Sequence, residues 1–181
     1  VAELASMSME LISMEHWNAF FENEDDLKRA KKEQLESVLK GLPWIAMIDK
    51  FQHWIYTNPL HSVDERNAYW LLLCNEFGTG IINMDGLTDN LKRSWQPQLH
   101  LFEVPFYYIE YGMAQLGAIA VWRNYKLNPN KALQDYKNSL ALGYTKIIPE
   151  IYKTAGIKFD FSSEYIKELA DFVQKEYELL C

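Results

Sequence analysis

Residues 104–122 read VPFYYIEYGMAQLGAIAVW, and the fold turns on whether this apolar run crosses a membrane or sits inside a core. A bilayer span needs about 20 consecutive, mostly apolar residues. This stretch contains Pro105, Glu110, Gln115 and three tyrosines, so it reads as a buried core helix. Pro105 suits the first helical position, where its missing N–H costs nothing, and the helix is expected to end near Tyr125. Its small residues, Gly112, Ala114, Gly117, Ala118 and Ala120, call for a closely packed neighbouring helix.

The flanking segments have the same helical character. Ala2 to Phe21 is apolar nearly all round (Leu4, Met7, Leu11, Ile12, Met14, Trp17, Phe20, Phe21), the pattern of a helix buried on most sides. A charged helix is expected from Asp26 to Lys40, ended by Gly41 and Pro43, followed by a third from Trp44 to Thr57. Ser62 with Glu65 three residues on is a capping box and opens a helix running to about Phe77, broken at Gly78-Thr79-Gly80. Ile81 to Pro97 reads as irregular. Further helices are expected over 130–142, closed by Gly143, over 147–155, closed by Gly156, and from Asp160 or Ser162 to Leu180. No period-two alternation is long enough for a strand. The fold class is therefore all-α, a multi-helix bundle with short connections.

The chain has 181 residues, about half of them apolar, which fits one domain with room for a small second lobe. Lys and Arg number 18 against 25 Asp and Glu, a net charge of 18 − 25 = −7. That excess of acid disfavours nucleic acid and anionic membrane surfaces as partners. Two cysteines, Cys74 and Cys181, make no disulfide framework, and a reduced, cytoplasmic setting is the simplest reading. The chain opens on Val1 with apolar residues and no N-cap ahead of them, as expected of a segment cut from a longer protein.

The four histidines, His16, His53, His61 and His100, include no pair three or four apart, and there is no Cys-x-x-Cys and no Glu-x-x-His. The chain can thus supply one or two ligands to a metal site completed elsewhere. Glu3 and Glu10 lie seven apart, so on a helix they share a face within about 20° and stand roughly 10 Å apart along the axis. One could bind a metal while the other orients a neighbouring ligand from behind; the alternative is a polar stripe on a surface helix. A second constellation is His100 with Tyr107, Tyr108 and Tyr111. Tyr108 and Tyr111 are three apart and Tyr107 and Tyr111 four, spacings that make helical neighbours. Phenols and an imidazole can donate to an oxyanion forming at a carbonyl; the alternative is an aromatic core stripe.

The run Trp95–Trp122, WQPQLHLFEVPFYYIEYGMAQLGAIAVW, closely resembles the signature region of the oligoendopeptidase F family, zinc metallopeptidases of the thimet-oligopeptidase type. VAELASMSMEL at the start resembles that family's segment just after its zinc-binding helix. IDKFQHWIYTNPLHSVDERNAYW and ALGYTKIIPEIYKTAGIKFDFSS resemble the family as well, so the likeness covers essentially the whole chain. It implies that residues 1–181 are one helical segment, the C-terminal part of a larger zincin-type peptidase domain. It implies zinc-dependent hydrolysis of oligopeptides, with Glu3 as third protein ligand to zinc and Glu10 behind it, holding a zinc histidine in its tautomer. It further implies that His100, Tyr108 and Tyr111 contact the substrate backbone and stabilise the tetrahedral intermediate, with Tyr107 as the adjacent substrate-binding candidate.

The family's His-Glu-x-x-His, which carries two ligands and the general base, does not occur here. The isolated chain is therefore expected to be inactive, to leave zinc unbound without the missing N-terminal part, and to self-associate through the face that part would cover. The rival reading is a non-enzymatic, all-helical interaction module, which leaves the clustered tyrosines unexplained.

Overall fold

A computed structural model describes residues 1–181 and is all-α. Nine α-helices and one short 3-10 helix follow in order: α1 (Ala2–Ser13), a 3-10 helix (Met14–Ala19), α2 (Glu24–Thr57), α3 (Val63–Phe77), α4 (Thr88–Leu91), α5 (His100–Glu103), α6 (Ile109–Leu127), α7 (Pro129–Ala141), α8 (Ile148–Thr154) and α9 (Ser163–Glu178). No helix is long and apolar enough to cross a membrane. The chain packs as two compact units, one of Val1–Lys40 with Met113–Cys181, the other of Gly41–Gly112.

Several helix ends lie where local chemistry put them. The Ser62 hydroxyl accepts from Glu65 N and the Glu65 carboxylate accepts from Ser62 N, so the capping box forms. α3 ends where Gly78 turns to an extended conformation, in which a side chain would meet the Cys74 carbonyl at 2.5 Å, so glycine is required there. Asn128 caps α7 with Pro129 in its first turn, and Ser162, rather than Asp160, caps α9 by accepting from Tyr165 N. Asp160 instead accepts from Ser162 N at 2.9 Å.

Three expectations need correction. The helix begun at Ala2 is α-helical only to Ser13 and then tightens into the 3-10 turn, a common way of satisfying carbonyls at a helix end. It buries Leu4, Ser8, Leu11 and Ile12 on one side, while Met9 and Phe20 are exposed. Gly41 and Pro43 do not end a helix: α2 runs through both. Proline forfeits one backbone hydrogen bond, but the boundary between the two packing units falls at this point, and α2 buries Leu35 and Val38 in one unit and Ile45, Met47, Ile48 and Phe51 in the other. Pro105 does not start α6; it lies in a turn after α5, and α6 begins at Ile109.

In the unit containing both termini, α6 is the central helix, with Ala118, Ile119, Ala120, Val121 and Trp122 buried. Gly117 explains the small-residue run: a Cβ there would lie 2.8 Å from Leu4 Cδ1 and 3.0 Å from Tyr152 Cε1, so α1 and α8 both approach the α6 backbone. Tyr136 of α7 donates to the Ala5 carbonyl of α1 at 3.0 Å, and burial pushes its phenol above the usual tyrosine range. Trp122 Nε1 donates to Glu15 at 3.0 Å, and Lys126 joins Glu15 and Glu176.

The other unit has its own aromatic core of Met47, Ile48, Phe51, Trp70, Leu73 and Trp95. Trp70 Nε1 donates to Ser94 Oγ at 2.9 Å, fixing the irregular segment after α4 against α3. Lys50 pairs with Glu76 at 2.5 Å across α2 and α3.

Candidate functional site

The unit of residues 41–112 brings His100, Tyr107, Tyr108 and Tyr111 together. The His100 ring lies 4.9 Å from that of Tyr108 and 5.5 Å from that of Tyr111, both edge-on, and 6.4 Å from Tyr107, stacked. Tyr111 in turn lies 5.7 Å from Tyr107 and 5.3 Å from Tyr108. Such edge-to-face pairs contribute about 0.5–1.5 kcal/mol each beyond simple burial. Tyr108 also packs on the aromatic core, whereas Tyr107 stands exposed.

These contacts do not arise from one helix face. Tyr107 and Tyr108 precede α6, and only Tyr111 lies on it. The two earlier tyrosines leave a tight turn in which Tyr107 N donates to Val104 O at 3.1 Å. Phe106, third in that turn, has φ +62, and a non-glycine residue held in the left-handed region costs about 1–2 kcal/mol.

The hydrogen bonds around His100 set its tautomer. Gln98 Nε2 donates to His100 Nδ1 at 2.7 Å, so Nδ1 is the accepting nitrogen and the proton of the neutral ring sits on Nε2. Nε2 then donates to the Tyr111 hydroxyl at 3.2 Å. A phenol that accepts from one donor becomes a stronger donor through its own O–H. The half-buried imidazole thus polarises Tyr111, while the Tyr107 and Tyr108 hydroxyls are engaged by no other group of the chain. The arrangement suits donation to a developing oxyanion or to a peptide carbonyl.

Two participants escaped the sequence reading. Gln98 lies within the WQPQLH segment, but a glutamine two residues before a histidine carries no spacing signal. Gln52 Oε1 accepts from Phe106 N at 2.7 Å across 54 positions of sequence, which no local pattern encodes.

Glu3 and Glu10 lie in the other unit, on α1. Glu3 is half-buried in the first turn and Glu10 is exposed. The neighbour of Glu3 is Leu4, 3% exposed and seated against Gly117 of α6, so the backbone carrying Glu3 is braced. Glu3 has no ion pair or side-chain hydrogen bond; its backbone carbonyl accepts from Ser6 at 3.2 Å. No group of three or more His, Cys, Asp or Glu stands close enough to hold a metal ion. A carboxylate is among the oxygen ligands that zinc accepts, and that of Glu3 is half-buried with no charged partner.

The family model described as peptidase family M3 matches residues 1–171. Among solved structures, the chain is similar to a protein described as an oligoendopeptidase F, with 27% identity and a TM-score of 0.87 over 97% of this chain and 32% of that one. It is similar to PZ peptidase A, solved with an inhibitor, at 28% identity and TM-score 0.85, covering 96% and 30%. It also resembles a Bacillus anthracis protein described as an oligoendopeptidase F, at 27% identity and TM-score 0.71, covering 96% and 27%. The chain spans about a third of the length of these structures. No curated protein matches it.

Proposed function

The chain belongs to peptidase family M3, and on that premise we propose that residues 1–181 form the C-terminal part of the catalytic domain of a zinc-dependent oligoendopeptidase. Its substrates are oligopeptides, and its two remaining zinc ligands and general base come from the part of the enzyme N-terminal to Val1. Zinc, when bound, supplies the Lewis acid that activates water and polarises the scissile carbonyl.

The residues of this chain do the rest of the work assigned to them. Glu3 offers its carboxylate as the third protein ligand, and Glu10 orients a ligating histidine from behind. His100, through Nε2–H, polarises the Tyr111 phenol, and Tyr111 and Tyr108 donate to the oxyanion as the tetrahedral intermediate forms. Tyr107, the more exposed ring, binds the substrate backbone. The observation that carries this reading is the bond chain Gln98–His100–Tyr111, because a core stripe has no need of an imidazole fixed in one tautomer and aimed at a phenol. The cytoplasmic setting rests on the sparse cysteines alone.

The test is peptide cleavage by the full-length gene product. An internally quenched oligopeptide should be cleaved, cleavage should stop on metal chelation and return with zinc, and residues 1–181 alone should be inactive. Glu3→Gln should lower the zinc content of the full-length protein. Failure of the full-length product to cleave any oligopeptide, or cleavage that survives metal removal, would return the chain to the interaction-module reading.

A further inference from the structure

The turn that launches the tyrosines is held from outside itself. Val104 O accepts from Tyr107 N at 3.1 Å, with Pro105 second and Phe106 third. Proline at the second place and a positive φ at the third are the marks of a type II turn, whose third residue is usually glycine. Phenylalanine stands there at φ +62, so something else must hold the backbone. Its N–H donates to Gln52 Oε1 at 2.7 Å, and its ring contacts His53 and Tyr56 of α2, each with centroids 5.0 Å away.

Gln52 is an unusual residue for its place. It is 1% exposed, next to the fully buried Phe51, and its Nε2 has no partner. A buried amide with one half unsatisfied lowers stability, and a methionine of the same length would fill the space without that cost. Local cost of this kind is kept where a backbone must hold one geometry.

We propose that Gln52 is a positioning residue for the His100–Tyr107–Tyr108–Tyr111 donors. Its side-chain carbonyl holds Phe106 in the left-handed conformation and so fixes the direction in which Tyr107 and Tyr108 leave the turn ahead of α6. The catalytic consequence rests on the peptidase reading; the clamp itself does not.

The experiment uses the full-length protein with Gln52→Met, which keeps the volume and removes the acceptor, and Gln52→Glu, whose carboxyl, buried with no cation beside it, holds its proton at mildly acidic pH and keeps a neutral acceptor oxygen. Gln52→Met should lower kcat about tenfold, the rate equivalent of one net hydrogen bond, and leave KM within about twofold, because the donors act on the transition state. Its melting temperature should change little, because losing the bond to Phe106 N is offset by removing the unpartnered Nε2, so the fall in kcat does not come from a loss of folded protein. Amide exchange over residues 104–108 should speed up about tenfold, and Gln52→Glu should recover most of both effects. Unchanged exchange in Gln52→Met, or a loss in Gln52→Glu as deep as in Gln52→Met, would overturn the clamp. Should the unaltered enzyme cleave no peptide, the peptidase reading falls by itself and the exchange difference still decides the role of Gln52.

Discussion

Three glycines lie inside helices, and the space around each predicts a different sign for the same Gly→Ala change. Alanine is favoured over glycine in a helix interior by about 1 kcal/mol. At Gly41 of α2 a Cβ meets nothing within 4 Å, so Gly41→Ala should stabilise by about that amount. At Gly112 of α6 the new methyl meets Ile45 Cγ2 at 3.2 Å, and a β-branched side chain on a helix has little rotamer freedom; propensity and strain should nearly cancel. At Gly117 the methyl meets Leu4 Cδ1 at 2.8 Å and Tyr152 Cε1 at 3.0 Å. The leucine end could turn aside, but the tyrosine ring is pinned, its hydroxyl donating to Met113 O at 3.0 Å. Overpacking costs about 1–3 kcal/mol, so after the propensity gain Gly117→Ala should destabilise by roughly 0–2 kcal/mol. Amide exchange on the full-length protein reads each locally: slower opening around 41, little change around 112, and faster opening by up to about thirtyfold in α1 and α8 for Gly117→Ala. Because Leu4 sits beside Glu3, Gly117→Ala should also lower zinc content while Gly41→Ala leaves it alone. If Gly117→Ala protects α1 as well as Gly41→Ala protects α2, then α1 is not seated on α6 as described, and the bracing of Glu3 goes with it.

Tyr111→Phe keeps the ring contacts and removes the phenol that accepts from His100; kcat should fall by about 10²-fold, the usual effect of losing one oxyanion donor, with KM little changed, and equal loss in both constants would contradict the role. Ser62→Ala should cost about 1 kcal/mol at the start of α3, read as faster exchange over 63–67. The backbone N–H of Ser62, then its hydroxyl, holds the Glu65 carboxyl below the ordinary carboxylate range. Its folded pKa is thus lower than its unfolded one, so its contribution is complete above the ordinary range and is lost as pH falls through the depressed value; Glu65→Gln should remove that acid dependence from α3. Residues 1–181 alone expose Phe20 in one unit and Leu60, Ile81 and Ile82 in the other, and at tens of micromolar should elute above the 21.3 kDa monomer; a sharp monomer peak would count against it.

What the sequence revealed and what it hid follow from the range of the forces involved. The Ser62–Glu65 box and the Asn128-Pro129 start were legible because a cap is settled within four residues. The close approach at Gly117 was legible as a need for a neighbour, though not as the particular pair Leu4 and Tyr152. Pro43 was misread because the cost of a proline is local while what outweighs it, burial on both sides of residue 43 along α2, is not. Among the candidate site residues the cluster of His100 and the tyrosines was found by residue type, but its scaffold was not.

Pro105 shows why. A proline before an apolar helical run is the same signal whether it fills the first helical position or the second place of a turn. What separates the two outcomes is the fate of the next N–H. In a helix started at Pro105, Phe106 would sit in the right-handed region with its N–H among those left unpaired at a helix start; here it is left-handed and bonded to Gln52. A single long-range acceptor, supplied from inside an aromatic core, therefore moves the helix start to Ile109. That shift is what lets Tyr107 and Tyr108 meet His100 from a turn rather than stand side by side on a helix surface. The donor geometry is thus written into α2 as much as into the tyrosine segment itself, and substitutions at Gln52 should reach the chemistry without touching any residue that carries it.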